Sequence, residues 1–107
     1  MATVGEALAV ALDHHLAGRV EDAEVLYRRI LDVDARNAAA LHLYGVLCAQ
    51  TGRVPDAVEL IGRAIASDPG IPDYHVNLAG ALRAAGQPAR AAEAFRQALD
   101  LAPDRLD

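Results

Sequence analysis

Along this chain apolar residues recur at the spacing of a single helical face, and glycine or proline interrupts the pattern at regular intervals. In the middle third, Leu41, Tyr44, Leu47 and Cys48 form one stripe, and Ala57, Leu60, Ile61, Ala64 and Ile65 form a second. Gly52 ends the first stripe, as glycine does where a helix closes in a left-handed cap. Pro55 suits the first turn of the next helix, where no backbone N–H is required. Asp68-Pro69 stops the second stripe, and Pro72 opens the following one. The same reading extended along the chain predicts helices over 4–17, 21–34, 38–51, 55–67, 72–85 and 89–101. No segment reads as a strand.

The punctuation has a period. Gly18, Gly52 and Gly86 are 34 residues apart, and so are Ala23, Ala57 and Ala91. Tyr27, Ile61 and Phe95 keep the register, as do Ile30, Ala64 and Ala98, and then Leu31, Ile65 and Leu99. Pro69 and Pro103 continue it, with Ala35 in the first position of that column. Several columns in one register define three units, 4–37, 38–71 and 72–105, each a pair of helices. One unit cannot bury both of its faces alone, so units must stack.

Composition sharpens this picture. Alanine fills 24 of 107 positions while aromatics make up 4%, which points to close-packed helices with small residues at their contacts. Hydrophobic residues reach 53%, enough for a core. The net charge is −5 and all ten basic residues are arginine, so a nucleic-acid backbone is not an expected partner. The lone Cys48 excludes a disulfide framework and any cysteine-rich zinc module. The apolar run from Ala7 to Leu12 has no basic residue before it and is bracketed by Glu6 and Asp13, unlike a signal peptide. No run is long enough to span a bilayer. The expected setting is the reducing cytoplasm.

The residues carry a resemblance. The first-helix pattern of Leu41-x2-Tyr44-Gly45-x2-Cys48, followed by Ala57, Ile61 and Pro69 in the second helix, resembles the tetratricopeptide repeat. The third unit matches more loosely in its first helix, with His75, Leu78, Ala79 and Leu82, and closely in its second, with Ala91, Phe95 and Pro103. The first unit, Ala7-x2-Val10-Ala11-x2-His14, departs furthest. The resemblance implies an all-α solenoid over 1–107: three helix-turn-helix repeats, six antiparallel helices, in a right-handed superhelical stack. It also implies a protein-interaction scaffold. Physical chemistry supplies the reason for the small columns: Ala11, Gly45 and Ala79 on first helices, and Ala23, Ala57 and Ala91 on second helices, let paired helices approach closely.

A catalytic constellation is not found. The single serine, Ser67, sits at a helix end beside Asp68-Pro69 and reads as a turn residue. Cys48 lies on an inward stripe and reads as core. His14 and His15 are adjacent and point about 100° apart on a helix, and His42 and His75 belong to different units, so no metal site is expected. His14 occupies the packing column of Cys48 and Leu82. Glu21, Asp22 and Glu24 open a helix, where negative charge suits the dipole, and read as a solvated face. With no glycine-rich phosphate loop either, no cofactor and no enzymatic activity are expected.

What remains is a surface. First helices of stacked pairs line a concave groove, which is expected to bind a peptide or protein segment. Its candidate residues are Leu8, Leu12 and His15 from the first unit, and His42, Leu43, Val46 and Gln50 from the second. The third contributes Asp73, Val76, Asn77, Gly80 and Arg83. Subtypes that clamp a C-terminal carboxylate need Lys and Asn here; this chain has no Lys, and Leu8, Leu12, Leu43 and Asp73 stand in those places. Tyr74 to Ala79 resembles the asparagine-ladder subtype of O-linked N-acetylglucosamine transferases, with Asn77 as a rung and Leu43 and Ala9 in the preceding units. The alternative reading is therefore the substrate-recognition segment of a larger glycosyltransferase or sulfotransferase. Residues 106–107 stand where a fourth unit would begin, so Phe95, Leu99 and Leu101 are expected to lack cover. A weak homodimer through that end follows, with head-to-tail stacking onto Val4, Leu8 and Leu12 as the competing arrangement. Asp100, Asp104 and Asp107 would oppose pairing, and salt would relieve it.

Overall fold

A computed structural model describes residues 2–104. The expected ends at residue 105 and at Asp107 lie outside the described residues. Six helices follow one another: α1 (Val4–Leu16), α2 (Val20–Val33), α3 (Ala38–Gln50), α4 (Val54–Ser67), α5 (Pro72–Ala84) and α6 (Pro88–Leu101). They form an all-α helical repeat, three antiparallel pairs in an elongated stack of 42 × 26 × 24 Å.

The boundaries lie within one residue of those read from the periodicity, and the deviations share a cause. Each first helix closes one residue earlier than expected because the cap itself needs two residues. Gly18, Gly52 and Gly86 take φ of 79°, 82° and 76°. The residue after each glycine then returns its N–H to a carbonyl five residues back. These bonds are Arg19 to His14 at 2.9 Å, Arg53 to Cys48 at 2.8 Å and Gln87 to Leu82 at 2.9 Å. That pattern is a Schellman closure, and it turns the chain directly into the second helix of the pair. At the start of α1, Glu6 N–H donates to Thr3 Oγ1 at 3.1 Å and Thr3 N–H donates to Glu6 Oε1 at 3.0 Å, a reciprocal cap. Asn37 caps α3 by accepting from Ala40 N–H at 2.9 Å.

Packing follows the small columns. Ala11, Ala23, Ala57 and Ala64 are fully buried, and Gly45 is buried where α3 crosses α4. A methyl group on Gly45 would lie 2.6 Å from Ile61 Cγ1, 3.2 Å from Ile61 N and 3.3 Å from the Ala57 carbonyl, so only hydrogen fits. The large fillers are Tyr27, Leu41, Leu47, Ile61 and Leu82. One core cluster runs continuously from Ala11 to Ala81, and a smaller one, of Ala79, Leu82, Ala91 and Ala94, lies within the last pair. Helices touch only within a pair or between adjacent pairs; α1 and α2 do not reach α5 or α6. Each pair therefore depends on its neighbours for burial, as in other quasi-one-dimensional repeats.

Two sequence readings change here. Glu24 is not part of a solvated face: its side chain is 18% exposed and is held by Arg53, by Tyr44 Oη at 2.9 Å, and by Arg28 at 3.7 Å. Burial pushes this carboxyl upward, but the hydrogen bonds from Arg53 and Tyr44 and the two guanidinium charges outweigh it and hold the group below the usual carboxylate range. The second change concerns Leu99, which is half-buried rather than bare. Ser67 does act at a turn, donating from Oγ to the Arg36 carbonyl at 2.6 Å and joining the end of α4 to the preceding loop.

Candidate functional site

The first helices α1, α3 and α5 sit side by side, because α3 touches both α1 and α5. Their outward edges bring together residues about one repeat apart. His15 on α1 meets Gln50 on α3, with Nε2 2.7 Å from Oε1. His42 on α3 meets Asn77 on α5, with Nε2 2.7 Å from Nδ2. Both pairs span 35 residues, one more than the repeat.

Donor and acceptor roles in each pair follow from what the partners can offer. Gln50 Oε1 only accepts, so His15 Nε2 carries the proton and its Nδ1 accepts from the Tyr27 hydroxyl at 2.8 Å. Tyr27 is fully buried, stacks on Tyr44 with ring centroids 5.9 Å apart, and meets His15 edge-on. Burial pushes its phenol up to about 12, so it remains a proton donor at any physiological pH. A relay therefore runs from the core through Tyr27 and His15 to Gln50 Oε1, and leaves the amide NH2 of Gln50, a residue that lines the groove, outside the relay. In the second pair the order is reversed. Asn77 Nδ2 only donates, so His42 Nε2 accepts, and the Asn77 carbonyl is left facing outward.

His42 is held neutral by its surroundings. Burial, against the Tyr74 ring at 4.4 Å, lowers its pKa below the ordinary 6.5, and the negative charge of Asp73 only partly opposes this. Because the folded value lies below the unfolded one, the folded chain binds fewer protons. The stability contributed by neutral His42 is complete above about pH 6.5 and is lost as pH falls through the folded value. The melting temperature of the parent should accordingly drop between pH 7.5 and pH 5.5 by more than that of His42→Gln. Equal slopes for the two proteins in a thermal-shift series would remove His42 from the account.

Other groove candidates are placed as follows. Leu8 and Leu43 are half-buried and pack against the core cluster, while Leu12 is half-buried. Val46, Gln50, Asn77 and Gly80 meet around a cavity of about 310 Å³ between α3 and α5, with Ile61 among its lining residues. Val76 and Arg83, read as groove residues, line a different cavity of about 500 Å³ with Pro88, Ala91, Ala92 and Phe95, on the outer face of the last pair. Asp73 is exposed and acts electrostatically on His42.

That outer face is informative by internal comparison. Tyr27 and Ile61 are 0% and 1% exposed under the next pair, whereas Phe95, in the same column, is 46% exposed. Leu101 is 44% exposed. At the opposite end, α1 presents Glu6, Val10 and Asp13 in columns that carry Ala40, Tyr44 and Leu47 on α3 and Tyr74, Leu78 and Ala81 on α5. The α1 end thus carries two carboxylates beside Val10, which is 48% exposed, where the α6 end carries Phe95 and Leu101. Leu8, expected to take part in head-to-tail stacking, is half-buried and packs against the core cluster.

Histidine and cysteine positions elsewhere are structural. His14 accepts from Arg19 Nε at 2.7 Å and lies 3.9 Å from Asp22. His75 is buried and donates to the Pro69 carbonyl at 2.9 Å. Burial raises the Cys48 thiol above its ordinary value and keeps it protonated. Among the described residues no group of three or more His, Cys, Asp or Glu side chains could hold a metal ion. No described helix is long and apolar enough to cross a membrane.

Comparisons with known proteins agree with this geometry. A family model described as tetratricopeptide repeat matches residues 8–72 and 52–105. Among solved structures, an O-GlcNAc transferase from Thermobaculum terrenum is similar at 34% identity and a TM-score of 0.83, over 98% of this chain and 21% of that one. MamA is similar at 21% identity and a TM-score of 0.89, over 94% of this chain and 59% of that one. The type III secretion translocator chaperone SycD of Yersinia enterocolitica is similar at 18% identity and a TM-score of 0.89, over 97% of this chain and 79% of that one. The chain spans about a fifth of the transferase and somewhat over half of MamA. No curated protein sequence matches it.

Proposed function

Because the chain belongs to the tetratricopeptide repeat family, we propose that it is an interaction scaffold whose first-helix groove binds an extended segment of a protein partner. The observation that carries this reading is the pair of oriented amides. Gln50 presents a donor and Asn77 an acceptor at the same groove, each held by an imidazole from the neighbouring first helix. An extended peptide offers that complement in its own backbone. SycD, a neighbour in structure, is described in complex with a peptide of the translocator YopD.

An immobilised library of nine-residue peptides tests the reading. Peptides that bind the parent should each lose about 1–2 kcal/mol with Asn77→Ala, and a similar amount with Gln50→Ala, the worth of one hydrogen bond. Binding that survives both changes moves the site to the convex face or the loops. A second reading is favoured by the 34% identity to the Thermobaculum terrenum transferase and by Asn77: the chain would be the recognition segment of a larger glycosyltransferase or sulfotransferase.

The apolar end supports a further contact between copies. Phe95 and Leu101 are nearly half exposed, and the opposite end sets Glu6 and Asp13 beside its exposed Val10, so a two-fold pairing of the Phe95 faces avoids laying those carboxylates against apolar side chains as head-to-tail stacking would. Asp100 and Asp104 lie near that face and keep the pairing weak at low salt. Sedimentation equilibrium should give a monomer–dimer equilibrium that tightens with added salt and is abolished by Phe95→Glu. A strict monomer at high concentration and high salt would sink the pairing.

A further inference from the structure

The 310 Å³ cavity between α3 and α5 lies at the lower end of the range of ligand pockets, about 300–1,000 Å³, so it suits one side chain rather than a whole small molecule. Its walls are Val46, Ala49, Gly80, Ala81 and Ala84, with Ile61 behind them and with Gln50 and Asn77 as the polar members of the lining. No charged residue lines it.

The repeat itself explains why the space exists. Shifted back by 34 residues, the columns of Val46, Ala49, Asn77, Gly80 and Ala84 read Leu12, His15, Leu43, Val46 and Gln50 at the junction of α1 and α3. There the side chains are large, and His15 and Gln50 bond to each other. At the junction of α3 and α5, Ala49 replaces the imidazole, Gly80 replaces Val46 and Ala84 replaces the amide. A Cβ built on Gly80, which also borders the outer cavity beside Phe95, meets nothing within 4 Å, so α5 is open at this point and not tightly crossed as α3 is at Gly45.

We propose that this cavity is a side-chain subsite of the groove, taking one aliphatic side chain of an extended peptide whose backbone is held by the Gln50 amide N–H and the Asn77 carbonyl. The inference rests on the groove reading above and adds its specificity. The occupant's chemistry follows from the lining. Apolar walls select an aliphatic group, and the absence of a cation or anion in the lining gives no partner to a carboxylate, phosphate or guanidinium. The rim offers one donor and one acceptor, which match a peptide unit and not a doubly accepting acid group. Gln50 is oriented through His15 from the buried Tyr27 hydroxyl, and Asn77 through His42, so both rim groups are set before a ligand arrives.

Capped tripeptides, N-acetyl-Gly-X-Gly-N-methylamide with X as Leu, Ala, Asp or Arg, test the subsite in a titration followed by amide NMR of the whole chain. The Leu peptide should give saturable shifts at Val46, Ala49, Gly80 and Ala84 and at the side-chain amides of Gln50 and Asn77. The Ala, Asp and Arg peptides should bind at least about tenfold more weakly. Ala49→Leu, at a residue that lines this cavity and not the outer one, and Gly80→Leu, at a residue that borders both, each place a side chain at the subsite wall and should each abolish those shifts. Gly80→Leu should do so with a melting temperature at or above the parent's, since glycine is a poor residue in a helix interior. Shifts of equal size from the Asp or Arg peptide, shifts at Ala92 and Phe95 instead, retention in both filled variants, or no response to any peptide would each overturn the subsite. A library peptide that loses binding with Asn77→Ala but keeps it with Gly80→Leu would uphold the groove and overturn the subsite alone. Failure of every library peptide together with every tripeptide would overturn the groove reading and the subsite with it.

Discussion

Tyr27→Ala should destabilise the fold by about 3–5 kcal/mol, the range for deleting a large buried ring. Tyr27 is 0% exposed, stacks on Tyr44 at 5.9 Å, meets His15 edge-on at 5.9 Å and donates to it at 2.8 Å. It is the filler between the first pair and the second, and adjacent-pair contact is all that ties the first pair to the rest. Against a typical total of about 5–15 kcal/mol for a small domain, the loss leaves little margin. Urea unfolding followed by far-ultraviolet circular dichroism should show the midpoint falling sharply, with α1 and α2 exchanging amide protons first. Tyr27→Phe isolates the hydroxyl. It keeps the ring, frees His15 Nδ1, and should cost about 0.5–1.5 kcal/mol. A parent-like midpoint for Tyr27→Ala would mean that the junction closes over the space, and the stacking role would fall.

Gly45→Leu should cost about 3 kcal/mol, toward the upper end of what overpacking a core imposes. The first added carbon already meets Ile61 Cγ1 at 2.6 Å, on a β-branched side chain that is 1% exposed and closely packed. It also meets Ile61 N at 3.2 Å and the Ala57 carbonyl at 3.3 Å, which are backbone and cannot move unless α3 and α4 separate. Helix propensity works the other way by about 0.5–1 kcal/mol, because any such residue suits a helix interior better than glycine. Gly80→Ala separates the two effects. Gly80 sits 35 positions later in the sequence, also inside a helix, and a Cβ there meets nothing. It should therefore gain about 0.5–1 kcal/mol where Gly45→Leu loses several times as much. Thermal melts of the two variants check the sign of each, and a Gly45→Leu protein as stable as the parent would contradict the tight crossing.

The neutral state of His42 links the groove to solution conditions. Its imidazole accepts from Asn77 only while unprotonated, and burial keeps it so near neutrality. Acidification below about pH 6.5 therefore weakens stability, and only as pH falls through the lower folded value does His42 charge and free the Asn77 amide to turn. A groove that relies on the Asn77 carbonyl should lose peptide affinity as pH falls through that folded value.

Much of this molecule is set by local rules that act at fixed spacing along the chain. The glycine column at 18, 52 and 86 forces left-handed closures, and the 34-residue period places them, so six helices and their turns follow from the sequence alone. The small columns foretell the close crossings, because a buried Ala57 or Gly45 admits only one geometry of approach. Column reading compares a residue with its counterpart 34 positions away, and contacts across a junction do not respect that step. His15 meets Gln50 and His42 meets Asn77 at a separation of 35, so each bond joins two different columns and neither column advertises it. Glu24 and Arg53 meet 29 positions apart for the same reason. The cavity between α3 and α5 was equally hidden, since Ala49, Gly80 and Ala84 are small residues among many others and only the stack shows that they face one another. Phe95 shares its column with two buried residues and is nonetheless half exposed. The column determines which way a side chain points; only the stacked structure decides what, if anything, lies against it, because burial between repeats depends on the neighbouring pair and not on the residue's own helix.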